Sequence, residues 1–549
     1  MLRDFQITAK KSIESCLSNG CHAALMVMAT GLGKTRTGLS IAHDFPGRVL
    51  WLAHRRELVT QPQREYQSVY GELPEIEMAE WHANKKLLYH KCHITIASIQ
   101  TMIARIAGKK WNPKDFDLIV ADEAHHYVSP RWKGCLDFFR NGNPDARFLG
   151  LTATPNRADE VALGTFFQEV PVNLDISWGI ENGWLTPVDQ RFVIIDDIDW
   201  SKCKGDSDLK ERDVDMVMGQ EKVLHGVAQA VVDSDKHTIV FTPRSSAHSL
   251  TGMARRCAEV INRYSGKQDA FWITEKTQLP VRDSLIRQFK NHDLKYFCNI
   301  EIAGEGFDCP ATECVAVARP TKSSLMYRQF VGRGLRPLPG VVDGVATPDE
   351  RRTAIANSDC ARLLVLDFVG NSGQHKLCSM LDVLGGNYDD DVIAAATERA
   401  KAERRSVKVA ELLEWSAKRA VEERQRQIAA QDRNRLVADV KYRTVAVDPF
   451  DVMGVTVGRE PGYHAGRMPS DKMIGALKKF GVEPEKIAEM SWWKASALIK
   501  ELCAAADAGE ASFKMKRLLL RYGEPTNVSW EEASSKIDRI KENGWRPLR

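Results

Sequence analysis

Short apolar runs alternate with longer stretches of mixed polarity over the first third of the chain. The runs span 24–28, 48–53, 94–97, 117–121 and 147–151, and each is followed by enough residues for a helix. Because parallel strands need long crossover connections that are usually helical, this rhythm predicts a parallel sheet flanked by helices. A second series with the same rhythm spans 237–242, 269–274, 296–300, 314–318 and 363–368. The pattern therefore predicts two α/β domains in tandem.

Two segments differ in composition from the two series. The segment WGIENGWLTPV at 178–188 lies between them, and its glycines and proline interrupt any helix and are typical of a connector. Residues 391–437 are rich in Ala, Glu, Arg and Gln and predict one or two long helices. These charged helices form either a solvated surface or an arm that contacts nucleic acid. A short strand-like segment at 440–447 comes next.

The last hundred residues contain an internal repeat. KMIGALKKFG at 472–481 matches KMKRLLLRYG at 514–523, and the SWWKASALIKEL segment that follows the first matches SWEEASSKIDRI after the second. Each copy predicts a helical hairpin.

The repeat also predicts where its helices begin and end. Gly481 and Gly523 lie where helix C-caps are expected, and Ser491 and Ser529 lie at N-cap positions. The tryptophans that follow the two serines are expected to pack against the small core of each hairpin. The alternative is exposed rings that stack on bases or dock a partner.

Composition limits the classes of protein to which the chain can belong. It has 549 residues, of which 43% are hydrophobic and 27% charged, as in ordinary globular proteins. Since single cores rarely exceed about 250 to 300 residues, three or four domains are expected. No apolar run reaches the roughly 18 residues that cross a bilayer, and no signal segment precedes the first helix. We therefore expect a cytoplasmic protein without a membrane partner.

The cysteines and the net charge give little further information about metal sites or partners. Twelve cysteines are scattered without a C-x-x-C pair, and His375 and Cys378 have no matching second pair nearby. Reduced, mostly buried thiols are therefore expected rather than a zinc site. The net charge of +4 is compatible with a polyanionic partner but does not require one.

The loop ATGLGKT at 29–35 carries the first recognisable chemistry. A glycine-rich turn between a buried strand and a helix lets backbone N–H groups surround phosphate oxygens, while its lysine adds charge. Its second threonine, Thr35, adds a hydroxyl for Mg²⁺. The general pattern has a glycine where this chain has Met28, so a plain glycine-rich turn is the alternative. The predicted phosphate-binding residues are Thr30, Gly31, Leu32, Gly33, Lys34 and Thr35.

An acidic motif follows the fourth apolar run, DLIVA. Acidic residues at the carboxyl end of a strand, beside a phosphate site, can hold Mg²⁺ and orient water. Asp122 would hold the metal, usually through water, and Glu123 would polarise the water that attacks the γ-phosphate. A solvated acidic turn is the alternative.

Nine motifs, in order, resemble those of the superfamily 2 helicases: LRDFQ, ATGLGKT, LAHRREL, ASIQT, DEAHH, LTATP, VFTPRSS, EIAGEGFDCP and RPTKSSLMYRQFVGRGLRP. The chain is most similar to the DEAD/DEAH group that includes the motor subunit of type III restriction enzymes and phage-encoded helicases. The resemblance covers residues 1 to about 370. It also accounts for Met28, because the loop of that family has the form A-x-G-x-G-K-T.

The resemblance gives the predicted α/β domains a RecA-like, P-loop fold. The expected divisions are a first RecA-like domain with the ATP site (1–177), a connector (178–188), a second RecA-like domain (189–386), a charged helical linker (387–450) and an α-helical C-terminal module of two hairpins (451–549).

The resemblance also implies roles for single residues around the nucleotide. It assigns Gln6 to the adenine ring, whose N6 and N7 suit a side-chain amide, and Phe5 to packing against the base. From the second domain, Gly306 and Asp308 are implied to approach the nucleotide.

Coupling residues and residues acting across the cleft complete the implied ATP site. Thr152 and Thr154, with His125, are implied to link hydrolysis to movement. In the motif QxxGRxxR, Arg333 and Arg336 are implied to act as arginine fingers, worth on the order of 10³ to 10⁵ in rate in other NTPases. Hydrolysis would then depend on closure of the two domains. An isolated motif of this kind could instead be a basic surface turn. The first residue of the motif is Gln329.

Nucleic acid is expected to lie across both domains and to be held through its phosphates. Ser98 and Thr101 could equally cap the helix that follows them, and Arg55 could be an ordinary surface charge. The candidate contacts are Arg55, Ser98, Gln100, Thr101, Arg244 and the backbone near Gly304.

The sequence therefore predicts an ATP-dependent DNA helicase or translocase that uses ATP and Mg²⁺, with a monomer favoured. No nuclease signature follows the second domain. Two alternatives stay open: RNA as the substrate, or a scaffold for nucleic acid or protein that ATP switches without unwinding. The C-terminal repeats are expected to add substrate affinity or to recruit a protein partner.

Overall fold

The structure is a computed structural model that describes most of the chain. The described residues are 2–54, 56–79, 81–83, 92–153, 162–193, 195, 203, 209–243, 252–274, 277–300, 309–368, 388, 390–402, 407–436, 448–455, 457, 460–461, 464 and 466–543. They form two compact units, Met1–Val383 with Glu403–Lys408, and Leu384–Ala402 with Val409–Arg549. Within these residues no helix is both long enough and apolar enough to cross a bilayer.

The first α/β domain contains a parallel sheet with the strand order β3-β4-β2-β5-β6-β1-β7. β1 is buried along its whole length, since β6 and β7 pair with its two sides and helices such as Asp4–Ser18 pack against the sheet. In a parallel sheet all strands end at the same edge, so the loop after β1 and the residues after β5 come together. The strands are β1 (Ala23–Met28), β2 (Val49–Ala53), β3 (Glu75–Glu77), β4 (Ile94–Ser98), β5 (Leu118–Asp122), β6 (Arg147–Thr152) and β7 (Glu169–Leu174).

The second α/β domain contains a sheet with the order β10-β11-β9-β12-β13-β8-β14, parallel except where β14 pairs with β8. The two predicted α/β domains with parallel sheets are thus confirmed. The strands are β8 (Val188–Val193), β9 (Thr238–Phe241), β10 (Ala270–Ile273), β11 (Tyr296–Asn299), β12 (Cys314–Val317), β13 (Leu363–Phe368) and β14 (Val407–Lys408).

Helices connect the strands in both domains. In the first they are Asp4–Ser18, Lys34–Asp44, Arg56–Tyr70, Ile99–Ala107, Pro130–Gly142 and Ile176–Glu181, with 3₁₀ turns at Pro113–Asp115 and Ala124–Val128. In the second they are Glu211–Met218, Glu221–Asp233, Met253–Ser265, Leu279–Lys290, Ser324–Val331 and Pro348–Ala356.

The connector corrects one expectation. Glycines and a proline were expected to interrupt any helix over 178–188, but the helix Ile176–Glu181 occupies its first part. This helix forms because Asp175 caps it, its side chain accepting a hydrogen bond of 2.8 Å from the Trp178 backbone. The helix ends before Gly183, which has φ +67°.

Four strands have no counterpart in the hydrophobic pattern: β3, β7, β8 and β14. Three of them lie at sheet edges, and β8 lies next to an edge, so their exposed positions carry polar residues. β7 contains Pro171, which edge strands tolerate, and its register with β1 shifts at this point. A search for continuous apolar runs therefore finds the central strands and misses the outer ones.

The second unit is helical. Its helices are Asp390–Ala402, Val409–Leu436, Pro449–Met453, Asp471–Phe480, Pro484–Ala488, Trp492–Asp507, Phe513–Arg521 and Trp530–Glu542. The first two confirm the long helices predicted for 391–437, whereas the strand-like segment 440–447 lies outside the described residues.

The hairpin repeat keeps its predicted caps. Gly481 is a left-handed C-cap with φ +92°, and Ser491 and Ser529 cap the two later helices through their hydroxyls. Gly523 has φ +75° and follows the C-cap residue of its helix. The expectation that Trp530 packs into a core is wrong, because its side chain is 55% exposed. The small core of that hairpin is filled instead by residues such as Leu519, Ala533 and Ile540.

Candidate active site

The glycine-rich loop joins β1 to the helix Lys34–Asp44. Gly31 and Gly33 have φ +98° and +82°, a left-handed conformation that side chains rarely adopt. A Cβ atom at Gly33 would overlap the Nε2 atom of Gln6, so the loop has no room for a side chain there. Because Lys34 begins the helix, the unpaired N–H groups of the first turn belong to the loop end. This cradle fits a phosphate group.

Gln6 is buried against the same loop. Its Nε2 atom donates a 2.9 Å hydrogen bond to the Leu32 carbonyl, and its Oε1 atom accepts one of 2.9 Å from the Arg3 backbone. Phe5 lies beside the connector, with its ring 5.4 Å from that of Trp178 and 5.0 Å from that of Trp184. Both residues stand at the loop, and their assignment to adenine stays a prediction.

Lys34 and the acidic motif form one charged cluster. The Nζ atom of Lys34 lies 2.7 Å from Oε1 of Glu123 and 3.8 Å from Oδ1 of Asp122. Glu123 has left-handed backbone angles, φ 53° and ψ 53°, which are uncommon for a non-glycine residue. Its backbone N–H donates a 3.0 Å hydrogen bond to Oδ1 of Asp122. This turn aims both carboxylates at the lysine.

The charge state of Glu123 follows from opposing effects. Burial disfavours the carboxylate, but Lys34 and His125 outweigh burial and hold the pKa of Glu123 well below its ordinary value. Asp122 is 1% exposed, and Thr35 is the second residue of the helix that follows the loop. A buried carboxylate and a hydroxyl are hard oxygen donors of the kind that Mg²⁺ prefers.

His125 connects the acidic motif to β6. Its Nδ1 atom lies 3.4 Å from Oε2 of Glu123 and 3.3 Å from Oγ1 of Thr152, at the end of β6. The predicted coupling residue Thr154 lies outside the described residues, as do Gly306 and Asp308.

The second domain contacts the loop through the segment after the helix Ser324–Val331, which contains Gln329. A Cβ atom at Gly332 would lie 2.7 Å from Cβ of Thr30, so only glycine allows this approach. Cγ of Arg336 would lie 3.3 Å from a Cβ atom at Gly31. Arg333, three residues earlier, is 9% exposed. The structure therefore brings the motif QxxGRxxR to the phosphate loop across about three hundred residues of sequence.

A buried carboxylate supports that helix, and the motif analysis missed it. Asp367, near the end of β13, is 2% exposed and accepts a 2.7 Å hydrogen bond from the Tyr327 hydroxyl. The side-chain amide of Gln190 in β8 donates to the same oxygen. The one signal in the sequence is an acid in the otherwise apolar strand LLVLDF. The Asp367 carboxylate thus helps to fix the helix Ser324–Val331, which precedes Arg333 and Arg336.

A second unforeseen contact joins the connector to the second domain. The guanidinium of Arg351 lies 3.9 Å from the Trp184 ring centroid, and that of Arg3 lies 4.9 Å from it. Arg351 is buried and donates to the Asn182 carbonyl at 2.9 Å. Arg3 also pairs with Asp343 of the second domain at 3.0 Å. The N-terminal helix, the connector and the second domain thus meet around one indole ring.

The candidate nucleic-acid residues are partly occupied by local contacts. Ser98 caps the helix Ile99–Ala107, its hydroxyl accepting from the Thr101 backbone at 3.3 Å and donating to the Thr101 hydroxyl at 2.9 Å. The capping alternative is therefore observed for this pair. Gln100 donates a 3.2 Å hydrogen bond to the His54 carbonyl. The candidates Arg55, Arg244 and Gly304 lie outside the described residues.

Three histidine rings lie between Gln100 and Glu123. The ring of His54 is 4.1 Å from that of His126, which is 4.3 Å from that of His125. With the hydrogen bond of Gln100 to His54 and the 3.4 Å contact of His125 with Glu123, these rings form a continuous series of contacts.

Two family models match the chain. The model described as "Type III restriction enzyme, res subunit" matches residues 1–157, and the model described as "Helicase conserved C-terminal domain" matches residues 222–337. The first match contains Lys34 and Glu123, and the second contains Arg333 and Arg336.

Curated relatives resemble the same part of the chain. A Saccharomyces cerevisiae protein assigned as the ATP-dependent helicase IRC3 is 26% identical over 356 residues, covering 61% of this chain and 49% of that protein. An Escherichia coli protein named type I restriction enzyme EcoAI endonuclease subunit is 27% identical over 369 residues, covering 61% and 44%. A 51.5 kDa protein of a Lactococcus phage is 25% identical over 297 residues, covering 54% and 58%.

The chain spans about half the length of these relatives. The matches fall, in the expected order, on the two α/β domains whose loop, acidic turn and basic motif meet at one place. The chain therefore contains the two domains that these family models describe, and over 61% of its length it is similar to proteins named as a helicase and as a restriction enzyme subunit.

Proposed function

We propose that the chain is an ATP-driven DNA translocase or helicase. The observation that carries this proposal is the contact of Gly332 and Arg336, from the second domain, with Thr30 and Gly31 of the phosphate loop. A site assembled from two domains hydrolyses ATP only in one relative arrangement of those domains. Hydrolysis is then tied to domain movement, which is what a motor requires.

Each residue of the first domain has a distinct part in this proposal. The loop N–H groups and Lys34 bind the phosphates, and Thr35 and Asp122 would hold Mg²⁺, which neutralises phosphate charge when bound. Glu123 accepts the proton of the attacking water, and beside Lys34 its low pKa keeps it ionised before phosphate binds. Lys34 must exchange its 2.7 Å contact with Glu123 for contacts with phosphate, which frees the carboxylate for the water.

The second domain supplies positive charge. Arg333 and Arg336 would stabilise charge that develops on the transferred phosphoryl group. The buried bond from Tyr327 to Asp367 supports this role, because it limits the positions open to the helix that leads into the arginines.

The same geometry suggests how nucleic acid would stimulate hydrolysis. Gln100 lies on the face expected to bind nucleic acid, and the rings of His54, His126 and His125 lead from it to Glu123. A shift of Gln100 on binding would therefore move groups packed against the catalytic carboxylate.

The name of one relative supports the choice of DNA over RNA in this proposal. The Escherichia coli protein is named as part of a restriction enzyme, a class that acts on DNA. The test is steady-state ATPase activity with Mg²⁺, alone and with single-stranded, duplex and forked DNA or RNA of matched length. Stimulation by DNA above RNA supports the proposal, and stronger stimulation by RNA favours the alternative substrate. A rate that no nucleic acid changes would contradict a motor and leave a scaffold that ATP switches.

We expect Glu123→Gln to lower the DNA-stimulated kcat by roughly 10² to 10⁴-fold while ATP still binds. The amide keeps the size of the side chain but cannot accept the proton of water. Hydrolysis is measured in steady state, and binding is measured with a fluorescent ATP analogue. The matched control is Glu72→Gln, an exposed glutamate of the same domain, which should leave kcat unchanged. Retained strand unwinding by Glu123→Gln would refute the assignment.

Removing Lys34 should destabilise the chain in a pH-dependent way. The ion pair of Lys34 with Glu123 stabilises the fold fully at pH values above the unfolded glutamate pKa of about 4.3. This stabilisation is lost as the pH falls through the lower folded pKa of Glu123. Lys34→Ala leaves a buried carboxylate without its lysine, so at pH 8 it should lower Tm by roughly 5 °C or more. At pH 5.5 the decrease of Tm caused by Lys34→Ala should be smaller, because Glu123 in this variant is then more readily protonated.

The control for this prediction is the double variant Lys34→Ala/Glu123→Gln. It lacks the buried charge, so its Tm at pH 8 should exceed that of Lys34→Ala. Equal Tm values for the single and double variants at both pH values would show that the pair is not stabilised by charge.

Loss of the Tyr327 hydroxyl should affect catalysis more than binding. In Tyr327→Phe the helix before the arginines is less firmly held, so kcat should fall about 10-fold with KM within about twofold. Tyr264→Phe is the control, since its hydroxyl bonds to His225 on an exposed surface of the same domain. If the two variants lose equal activity, or if Tyr327→Phe changes only Tm, the positioning role is wrong.

A further inference from the structure

Aromatic rings gather at the start of the helix Trp492–Asp507. The ring of His464 is stacked on Trp492 at 4.8 Å and 24° and on Trp493 at 5.8 Å and 16°. The Trp492 backbone N–H donates a 2.8 Å hydrogen bond to the Arg467 carbonyl, which joins the loop carrying His464 to the helix. Neither tryptophan belongs to the apolar core of the first hairpin, which is built from residues such as Leu477 and Leu498. The rings therefore form a separate, partly exposed group.

Basic residues lie near this group in the sequence. Arg467, Lys472 and Lys494 are exposed, and none of the three forms an ion pair with the residues that the structure describes. Some basic side chains elsewhere in the module are paired, such as Lys486 with Glu489 and Arg517 with Glu483. The positive charge beside the rings is thus available to an outside ligand.

The second hairpin differs from the first at the matching positions. Where the first has Trp492-Trp493-Lys494, the second has Trp530-Glu531-Glu532. Both copies keep the cap and the first tryptophan, and Trp530 is more than half exposed. Two acidic residues beside it repel phosphate, so the two copies present the same ring with opposite charge.

We propose that the surface formed by His464, Trp492, Trp493, Arg467 and Lys494 binds single-stranded nucleic acid. Unpaired bases expose faces that stack on aromatic rings, and their phosphates pair with basic side chains, a combination that tolerates any sequence. Duplex nucleic acid offers phosphates but no free base faces. The second hairpin, with its acidic pair, does not share this role.

This inference rests on the proposed function and extends it. A motor that moves on nucleic acid gains affinity when a second site of the same chain holds an unpaired strand, because the second contact becomes intramolecular. The alternative ligand, an acidic segment of a protein, would use the same basic residues but not the base-stacking faces.

The test uses the full chain without nucleotide and a fluorescein-labelled 20-residue oligo-dT, with Kd measured by anisotropy between 50 and 200 mM salt. Lys494→Glu should raise Kd at least fivefold and lower the slope of log K against log salt by about 0.7 for the lost phosphate contact. The substitution is compatible with the fold, because the second hairpin has Glu532 at the matching position of its own helix.

Trp493→Ala should raise Kd roughly fivefold or more with little change in the salt slope, since stacking carries no charge. Trp530→Ala is the internal control and should leave Kd within twofold. Wild-type Kd values for both Lys494→Glu and Trp493→Ala would overturn the proposal. So would equal loss in Trp530→Ala, or a polyglutamate peptide that competes as well as unlabelled oligo-dT.

ATPase activity separates failure of this site from failure of the motor. In Lys494→Glu the DNA concentration for half-maximal stimulation should rise, while kcat at saturating DNA stays that of wild type. An unchanged half-maximal concentration contradicts the surface but not the motor. Absence of stimulation in the wild-type chain contradicts the motor itself.

Discussion

The close approach of the second domain to the phosphate loop is the constraint on which the other features of the site depend. Gly332 can lie against Thr30 only because it has no side chain, and the same loop needs left-handed glycines at 31 and 33. Two hydrogen bonds hold the segment that contains Gly332 in place. The Tyr327 hydroxyl donates to Asp367 from the helix Ser324–Val331, and the Thr186 backbone N–H donates a 2.7 Å hydrogen bond to the Leu335 carbonyl. Residues far apart in sequence thereby become one site.

The electrostatics of the first domain complement this arrangement. Lys34, Glu123 and Asp122 form a compact cluster in which the lysine is paired with the group proposed as the base. Binding of phosphate would release that pair and bring two arginines into use from the other side. In the proposed cycle, charge would be redistributed across the cleft, and the proposed motor would alternate between domain positions that allow and prevent this.

Much of the fold could be predicted from the sequence, because buried parallel strands are continuous apolar runs. The ten runs all correspond to strands, whereas β3, β7, β8 and β14 escaped because exposed edge positions are polar. At the site, the motifs named Lys34, Glu123 and Arg336; the structure places Lys34 against Glu123 and Arg336 beside Gly31, and their roles stay predictions. Asp367 and Arg351 were missed, since a single buried charge has no sequence pattern until its partners are known. The exposure of Trp530 was missed for the same reason, because only the packed hairpin determines which rings fit its core.

We propose above all that the phosphate loop is insufficient for ATP hydrolysis without the second domain. The most direct measurement is the DNA-stimulated kcat of Arg336→Ala, compared with Arg362→Ala, an exposed arginine of the same domain paired with Asp189. We expect Arg336→Ala to lower this kcat on the order of 10³-fold with nearly unchanged binding of an ATP analogue, and Arg362→Ala to keep the wild-type rate. A kcat for Arg336→Ala close to that of wild type would show that hydrolysis does not depend on this arginine of the second domain.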